Sequence, residues 1–257
     1  MEEYEMMKSM LGVWVATLFC SVTVADDFDA VKVKLEAAMQ ADVRTERDVA
    51  RDRNRKPIAT LEFFGLRDDM RVIELMPGGG WYTKLLAPVL AEDGELYLAI
   101  SAERVGDRLA GKPGFESLKV TARDASLDRP DGARFYDLTL SSLGVEDADM
   151  VFTFRNYHNF SVAGRGRMNE AVFEALKPGG IYAVVDHTRR HMESASTENG
   201  RRVDPVMAIK EIESAGFEFV DYATLHFRAD DELRYEVGRR TVTGNTDRWT
   251  LKFRKPL

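Results

Sequence analysis

Five short apolar runs, each separated from the next by a segment of helical composition, constrain the fold of this 257-residue chain more than any other feature. The runs are rich in β-branched and aromatic residues, and the strongest of them are apolar at successive positions. A strand with two apolar faces needs cover on both sides, which helices provide in a mostly parallel sheet. The runs are Arg71–Leu75, Gly94–Ser101, Ser117–Ala122, Ala148–Arg155 and Gly179–His187. Their alternation with helical segments predicts an α/β fold.

The C-terminal part departs from this alternation. Residues Pro205–Ala215 favour a helix that Gly216 stops, and the residues that follow favour a strand. After an irregular segment, Arg228–Asp247, the sequence ends in another predicted strand, Arg248–Leu257. We expect these two strands to form an antiparallel hairpin that closes one edge of the sheet.

The N-terminal segment has the layout of a secretory signal peptide. Lys8 precedes an apolar run, Met10–Val24, which small residues and then Asp26 follow. The run is short for a membrane span, so we expect no stable membrane insertion after cleavage, and a periplasmic or secreted protein. An uncleaved anchor or a buried helix is the alternative, and without a true signal the protein would be cytoplasmic. The acidic residues at the very start leave Met6 or Met7 open as the first residue.

These patterns divide the chain into three parts: a signal peptide (1–25), an N-terminal helical arm (26–57) and the main domain (58–257). The arm is rich in Ala, Leu, Glu and Arg, and Pro57 ends or re-aims it. Acidic residues interrupt the basic stretch Arg44–Pro57, which predicts a solvated helix face. An arm of this kind packs either on its own domain or on a second subunit, so a homodimer stays open.

Charge and cysteine content exclude several classes of function. The net charge of −7 gives no reason to expect a nucleic acid partner. Cys20 is the only cysteine, which excludes an intramolecular disulfide framework and a cysteine-rich metal site.

Three consecutive glycines, Gly78–Gly80, stand between the first predicted strand and its helix. In open parallel sheets, ligands bind beyond the carboxyl ends of the strands. Glycines there allow backbone N–H groups and a helix N-terminus to approach a ligand without interference from a Cβ atom. A plain tight turn is the alternative. Glu74, near the end of the same strand, would lie beside this loop.

The stretch VIELMPGGG (Val72–Gly80) resembles the first motif of the class I S-adenosylmethionine-dependent methyltransferases, an acidic residue followed by a G-x-G-x-G loop. The segments ADMVFTFRNYHNF, LKPGGIYAVVDH, AGFEFV and WTLKFRKP resemble the later motifs in the same order, so the resemblance covers residues 48–257. More narrowly, the chain is similar to a bacterial group of predicted, exported methyltransferases with a similar TDRWTLKFRKP tail.

The resemblance implies a Rossmann-like α/β fold: a mostly parallel seven-stranded sheet with helices on both faces and an antiparallel last strand. It also implies S-adenosylmethionine as the cofactor and a small molecule as the substrate. The cofactor contacts that it implies are Glu74, Pro77, Gly78, Gly79, Gly80, Glu103, Asp124 and Asn156.

The resemblance carries three more specific expectations. Ser101 or Glu103 takes the place of the acidic residue that binds the ribose hydroxyls at the end of the second strand. Asp124 suits the adenine amino group, and a helix or turn cap is its alternative role. Met76 stands where the family pattern has its first glycine. We expect its side chain to narrow the methionine-binding pocket or to alter the path of the loop.

Three of the four histidines follow the fourth and fifth predicted strands. Adjacent strand ends would bring His158 and His187 to one rim beside the glycine loop, with Asp186 and Asn156. A histidine of near-neutral pKa can remove a proton from a hydroxyl or ammonium nucleophile as it attacks a methyl group. We expect His158 to be the general base, with His187 second and Asp186 orienting it. A surface or capping role is the alternative for each histidine.

Other uses of this rim stay open. His187 and His191 lie four residues apart and could bind a metal with His158 and Asp186, as in a metal-assisted hydrolase. The neighbouring arginines would repel a cation, so no metal is predicted. The aromatic residues Tyr157 and Phe160 line either a substrate pocket or the core. The arginines that follow the fifth strand indicate an acidic substrate or a solvated loop; they are Arg189, Arg190, Arg201 and Arg202.

A further interpretation keeps the fold but not the reaction. S-adenosylmethionine is made in the cytosol, and an exported enzyme would need a supply of it. This supply problem and the methionine at position 76 favour an alternative. It is an exported binding protein, or an enzyme of another type, that uses the cofactor cleft.

Overall fold

The computed structural model describes residues 25–257, with side chains from residue 28 onward. The predicted signal peptide therefore lies outside the described residues except for Ala25, which begins the first helix. None of the helices between residues 25 and 257 is both long enough and apolar enough to cross a membrane.

A seven-stranded sheet forms the centre of the fold. Between residues 25 and 257 the strands are β1 (Arg71–Leu75), β2 (Glu95–Ala99), β3 (Lys119–Thr121), β4 (Ser126–Asp128), β5 (Asp137–Thr139), β6 (Ala148–Phe154), β7 (Leu176–His187), β8 (Glu218–Ala223) and β9 (Arg248–Arg254). Of these, β4 and β5 form a separate antiparallel pair, and the other seven form the central sheet. The order in the sheet is β3-β2-β1-β6-β7-β9-β8. Strands β1, β2, β3, β6 and β7 pair in parallel, and β9 is antiparallel to both of its neighbours. This arrangement confirms the predicted fold class.

Helices cover both faces of the sheet. They are α1 (Ala25–Met39), α2 (Glu46–Val49), α3 (Asp52–Arg55), α4 (Pro57–Phe64), α5 (Thr83–Leu90), α6 (Glu103–Leu109), α7 (Val162–Ala175) and α8 (Pro205–Ser214). Successive residues of a central strand point to opposite faces. Val72 joins the core beneath α1, α4 and α5, whereas Ile73 joins the core beneath α7 and α8. Burial on both faces explains why the central strands are apolar at successive positions.

The boundary between α7 and β7 differs from the prediction. The sequence predicts that the helix ends at Leu176-Lys177 and that Pro178-Gly179 stops it. In the structure the helix ends at Ala175, and the strand includes Leu176. Gly179 has a φ of 79°, and its N–H donates to the carbonyl of Lys255 on the chain beyond β9. The proline and glycine therefore bend the start of a strand instead of following a helix.

The C-terminal strands form the predicted antiparallel pair at one edge of the sheet. β9 inserts between β7 and β8, so the last strand in sequence lies inside the sheet and β8 forms its edge. The intervening residues 228–247 contain no helix or strand and fold back toward the end of β7. A buried ion pair between Arg202 and Asp231 holds this segment, with both oxygen–nitrogen distances at 2.9 Å.

The N-terminal arm packs on its own domain. The apolar side chains of Val31 and Leu35 in α1 are fully buried in the core beside α5. The prediction that Arg44–Pro57 forms a solvated face is wrong for Arg44, Asp48 and Arg55, which are buried. Their burial follows from contacts distant in sequence: Lys84 of α5 donates to Asp48 at 2.7 Å. The arm therefore packs against α5, the helix that follows β1.

Candidate functional site

The glycine loop joins β1 to α5 through an unusual backbone path. Met76, Gly78 and Gly80 all have positive φ angles, of 50°, 57° and 73°. A Cβ atom on Gly80 would lie 2.9 Å from Cγ1 of Val105, so this position needs glycine for space as well as for conformation. Met76 adopts the same left-handed region, which side chains disfavour. The backbone at Met76 is therefore strained, as it would not be at a glycine, but the loop still has a positive φ angle there.

One backbone and one side-chain hydrogen bond hold the loop in place. The N–H of Met76 donates to the carbonyl of Ala99 at 2.9 Å. Asn156 follows β6, and its side-chain amide donates to the carbonyl of Met76 at 3.1 Å. Asn156 therefore braces the loop from the neighbouring strand.

A cavity of about 130 Å³ lies over this loop. Five of the predicted cofactor contacts line it: Glu74, Pro77, Gly78, Gly79 and Asn156. The half-buried Met76 lines it too, as does the stacked pair of Tyr82 and Phe154, whose ring centroids are 3.6 Å apart. The Arg55 guanidinium lies 4.4 Å from the ring centroid of Trp81 in the same wall. The cavity is therefore narrow, with an open glycine backbone on one side and aromatic faces on the other.

The other three predicted contacts, Gly80, Glu103 and Asp124, do not line this cavity. Asp124 is exposed, and its carboxylate accepts hydrogen bonds from the N–H and the hydroxyl of Ser141 at 3.1 and 2.6 Å. This is the capping role that the sequence left as the alternative. Glu103 begins α6, and neither it nor Asp124 is among the residues that line the loop cavity.

Glu74 carries a buried carboxyl group beneath the loop. Burial raises its pKa to about 7, although a 2.6 Å hydrogen bond from the Thr83 hydroxyl and the charge of Arg55 both oppose this shift. Near neutral pH the group is therefore partly protonated, and a cation bound in the cavity would favour the carboxylate.

Replacing Glu74 by glutamine is expected to make the protein more stable at pH 8 but not at pH 4.5. The folded state holds the Glu74 proton up to about pH 7, while the unfolded state releases it near pH 4.5. The wild type therefore loses about 3 kcal/mol of unfolding free energy as the pH rises through this window. Glutamine removes this loss because it does not ionise.

Urea unfolding of both proteins at the two pH values measures the effect. Burial also lowers the pKa values of His187 and His226. The folded protein therefore loses stability as the pH falls below 6.5, because the unfolded state then binds more protons at these histidines. Both proteins share that contribution, so the difference between them isolates Glu74. An equal difference at pH 4.5 and pH 8 would contradict the prediction.

The predicted histidine rim forms where β6 and β7 end. His158 lies in a short helical turn, Tyr157–Asn159, and its Nδ1 is 2.6 Å from Oδ1 of Asp186. The other Asp186 oxygen accepts the backbone N–H of His158 at 2.9 Å. A carboxylate partner holds the proton on Nδ1, which leaves Nε2 as the basic nitrogen. Within residues 25–257 no protein group hydrogen-bonds to that Nε2.

His187 lies beside His158, with ring centroids 5.4 Å apart. Its Nδ1 is 2.8 Å from the Thr246 hydroxyl, and its backbone N–H donates to the Asp186 carboxylate. Burial holds the pKa of His187 well below its usual range, and the positive groups around it, including Arg155 and Arg248, lower it further. His187 is therefore neutral near pH 7.

His191 does not join this rim. It is largely exposed and pairs with Asp204, with Nδ1 and Oδ2 2.9 Å apart. The ligand atoms of His158, Asp186 and His187 do lie within 4.8 Å of one another. Asp186 already accepts hydrogen bonds through both oxygens, and Arg155 and Arg248 place positive charge nearby. This environment opposes a cation at the rim.

A second cavity, of about 370 Å³, opens onto both histidines. The arm forms one of its walls and residues 237–248 form another. Arg51, Arg55 and Arg155 line this cavity and the loop cavity alike, so the two are neighbours across these side chains. Tyr157 and Phe160 are fully buried in the core and line neither cavity.

The arginines at this cavity are mostly not those that the sequence indicates. Arg202 forms the buried pair with Asp231, while Arg189 and Arg190 donate to backbone carbonyls. Of the four, Arg201 alone lines the cavity, and it is paired with Glu236. The sequence patterns did not indicate four others that line it: Arg51, Arg55, Arg155 and Arg248. Of these four, Arg155 could have been predicted from the sequence. It directly follows a strongly apolar strand, and ligands bind beyond the ends of such strands.

Comparison with solved structures finds the same fold in methyltransferases. An S-adenosylmethionine-dependent methyltransferase from Aquifex aeolicus superposes with a TM-score of 0.55 at 16% identity, over 80% of this chain and 92% of the other. One from Methanosarcina mazei gives 0.51 at 15% identity, over 78% and 98%. The [4+2]-cyclase SpnF gives 0.54 at 15% identity, over 91% and 95%.

Neither the protein-family models nor the curated proteins include a match to this chain. The likeness therefore rests on structure, and at these identities it establishes the fold alone.

Proposed function

From the premise that this chain has the fold of the S-adenosylmethionine-dependent methyltransferases, we propose that it transfers a methyl group from S-adenosylmethionine to a small-molecule acceptor. The observation that carries this proposal is the adjacency of the glycine-loop cavity and the His158–Asp186 rim, which share Arg51, Arg55 and Arg155 as lining residues. The cofactor supplies a methyl group that its positive sulfur already activates. The protein therefore needs to supply orientation, a base and the exclusion of water.

The loop residues fit such a cofactor. Gly78 and Gly79 are exposed, and a Cβ on Gly79 would have no atom within 4 Å, so the backbone is open to a ligand there. Trp81 and Tyr82 contribute aromatic side chains to the wall of the same cavity. Glu74 offers a carboxyl group that a nearby cation would hold ionised.

The rim residues fit the role of a base. Once the cofactor is bound, Nε2 of His158 would take the proton that the acceptor's hydroxyl or amine loses when it is methylated. Asp186 holds the His158 ring through Nδ1 and stabilises the positive charge that the ring then carries. His187, held neutral, borders the acceptor beside it.

Binding of the cofactor tests the proposal directly. We expect S-adenosylmethionine to bind the wild type with micromolar affinity by calorimetry, and Gly79→Leu to weaken that binding at least tenfold, about 1.4 kcal/mol. The added side chain projects into open space at the loop, so it blocks the ligand without disturbing the protein.

Gly166→Leu is the matched control. Gly166 lies in α7, a Cβ atom added to it would also have no atom within 4 Å, and it lines neither cavity. This variant is expected to bind the cofactor as the wild type does. Absence of binding to the wild type at millimolar cofactor would overturn the proposed function.

A protein of the same fold without methyl transfer is the second candidate. Met76 lines the loop cavity at the position where the family pattern has its first glycine, and the structural neighbours include a protein named as a [4+2]-cyclase. A wild type that fails to bind S-adenosylmethionine, but binds another small molecule in the histidine cavity, would favour this candidate.

A further inference from the structure

The cavity beside the histidines carries an excess of positive charge. Five arginines line it: Arg51, Arg55, Arg155, Arg201 and Arg248. Within the part of the chain that the structure describes, no aspartate or glutamate lines this cavity. Asp186 lies behind the histidines, fully buried, and is already hydrogen-bonded to them. The chain itself therefore leaves much of this charge without a carboxylate partner.

Elsewhere in the protein, buried arginines are paired. Arg202 binds both oxygens of Asp231 at 2.9 Å, and Arg165 binds both oxygens of Glu211 at 2.6 and 2.7 Å. This is the usual arrangement, because an unpaired buried charge is costly.

The cavity arginines lack such partners. The Arg248 side chain donates to the carbonyl of Asn54 at 2.8 Å, but its Nε is buried with no hydrogen-bond partner. The Arg55 guanidinium lies over Trp81. For Arg55 and Arg155, no residue from 25 to 257 accepts a hydrogen bond from the guanidinium. These groups are available to a ligand.

Burial, and after it the repulsion between these arginines, lowers their pKa values. Burial and the neighbouring Arg155 lower the pKa of Arg55 to about 9 and that of Arg248 to about 10. Both side chains stay charged near neutral pH, so the cavity keeps a positive potential. An oxyanion bound there would relieve the repulsion and fill the missing hydrogen bonds.

We propose that the methyl acceptor carries an oxyanion, a carboxylate or a phosphate group, which Arg248 and Arg155 bind beside His158. This inference rests on the proposed function, since it names the substrate class of the same site. Arg248 lines the histidine cavity and not the loop cavity, which assigns the anion to the acceptor rather than to the cofactor. The planar guanidinium matches either oxyanion in geometry.

Inorganic phosphate and benzoate are the probes that test the inference, measured by calorimetry on the full chain with and without saturating S-adenosylhomocysteine. We expect at least one of them to bind the wild type at millimolar or lower concentration, and to bind equally well when the adenosyl ligand is present. Phosphate binding alone would indicate a phosphorylated acceptor, and benzoate binding alone a carboxylate. Binding of neither would overturn the inference.

Arg248→Met and Arg155→Met are expected to weaken the binding of the anion at least tenfold. Arg155 is the safer variant for folding, because its side chain makes no hydrogen bond to residues 25–257 that the substitution would remove. Arg234→Met is the matched control: Arg234 lies in residues 228–247, which precede Arg248, is exposed, and lines neither cavity. Equal anion binding by all three variants and the wild type would overturn the inference.

The cofactor measurements separate this inference from the proposed function. If the adenosyl ligand competes with the anion, the arginines bind the cofactor's own carboxylate and the inference fails while the proposed function stands. If the anion binds through Arg248 but no adenosyl ligand binds at all, the proposed function fails and the anion site belongs to another activity.

Discussion

Replacing His158 by glutamine is expected to reduce methyl transfer by about 10²- to 10⁴-fold, the usual contribution of general acid–base catalysis. Glutamine is similar in size and polar, but it cannot accept a proton near neutral pH. The glycine loop is a separate element, so the binding of S-adenosylmethionine should stay unchanged. The measurement is formation of S-adenosylhomocysteine with an acceptor that supports turnover in the wild type, alongside calorimetry of cofactor binding.

His191→Gln provides the matched control, because His191 is also paired with an aspartate but is exposed and lies away from the rim. It should keep wild-type activity. Asp186→Asn should lower the rate as well, since an amide no longer fixes the proton on Nδ1 of His158. Full activity in His158→Gln would exclude His158 as the base and leave His187 as the candidate.

Replacing Asp231 by alanine is expected to lower the free energy of unfolding by about 3–5 kcal/mol. The change leaves the guanidinium of Arg202 buried without its carboxylate, since the side-chain exposures of the two residues are 0% and 1%. It also removes the acceptor of the Asp247 backbone N–H, at 2.7 Å. Urea unfolding followed by circular dichroism measures the loss.

The matched control is Glu236→Ala, which removes the partner of Arg201 in the same part of the chain. That pair is half exposed, so its loss should change the unfolding free energy by no more than about 1 kcal/mol. A similar small effect for Asp231→Ala would mean that water reaches Arg202 and that residues 228–247 are not anchored as described.

The fold was predictable because its determinants are local. β1 and β6 are apolar at successive positions, and a helix follows each of them, which leaves few arrangements other than a covered parallel sheet. The rim was predictable for a related reason: adjacent parallel strands end at one edge, so residues at or just beyond the ends of β6 and β7 must lie near each other. His158 and Asp186 do so.

The arginine-lined wall could not be predicted in the same way. Arg55 belongs to a stretch in which acidic and basic residues alternate, and such a stretch usually faces water. Its burial depends on partners distant in sequence: its carbonyl is 3.0 Å from Nε2 of His226, and Arg248 bonds to the neighbouring Asn54. No local pattern records contacts across more than 170 positions. The prediction was therefore wrong where tertiary contacts override local polarity.

Several expectations stay predictions. The signal peptide of residues 1–25, the export that would follow from it, and a homodimer concern features that the described residues do not test. Fractionation of cells that express a tagged chain would address the first two, and sedimentation of the purified protein the third.

The arginines that border both cavities have a consequence for the order of events at this site. Under the proposed function, an anion bound to Arg155 would lower the electrostatic penalty for the positively charged S-adenosylmethionine in the loop cavity, and that cation would strengthen the binding of the anion. S-adenosylhomocysteine has no positive sulfur and would do neither. Thermodynamic linkage makes the two effects equal in size. The shared guanidinium groups would thus couple the two chambers, so that each reactant is retained best when its counterpart is already in place.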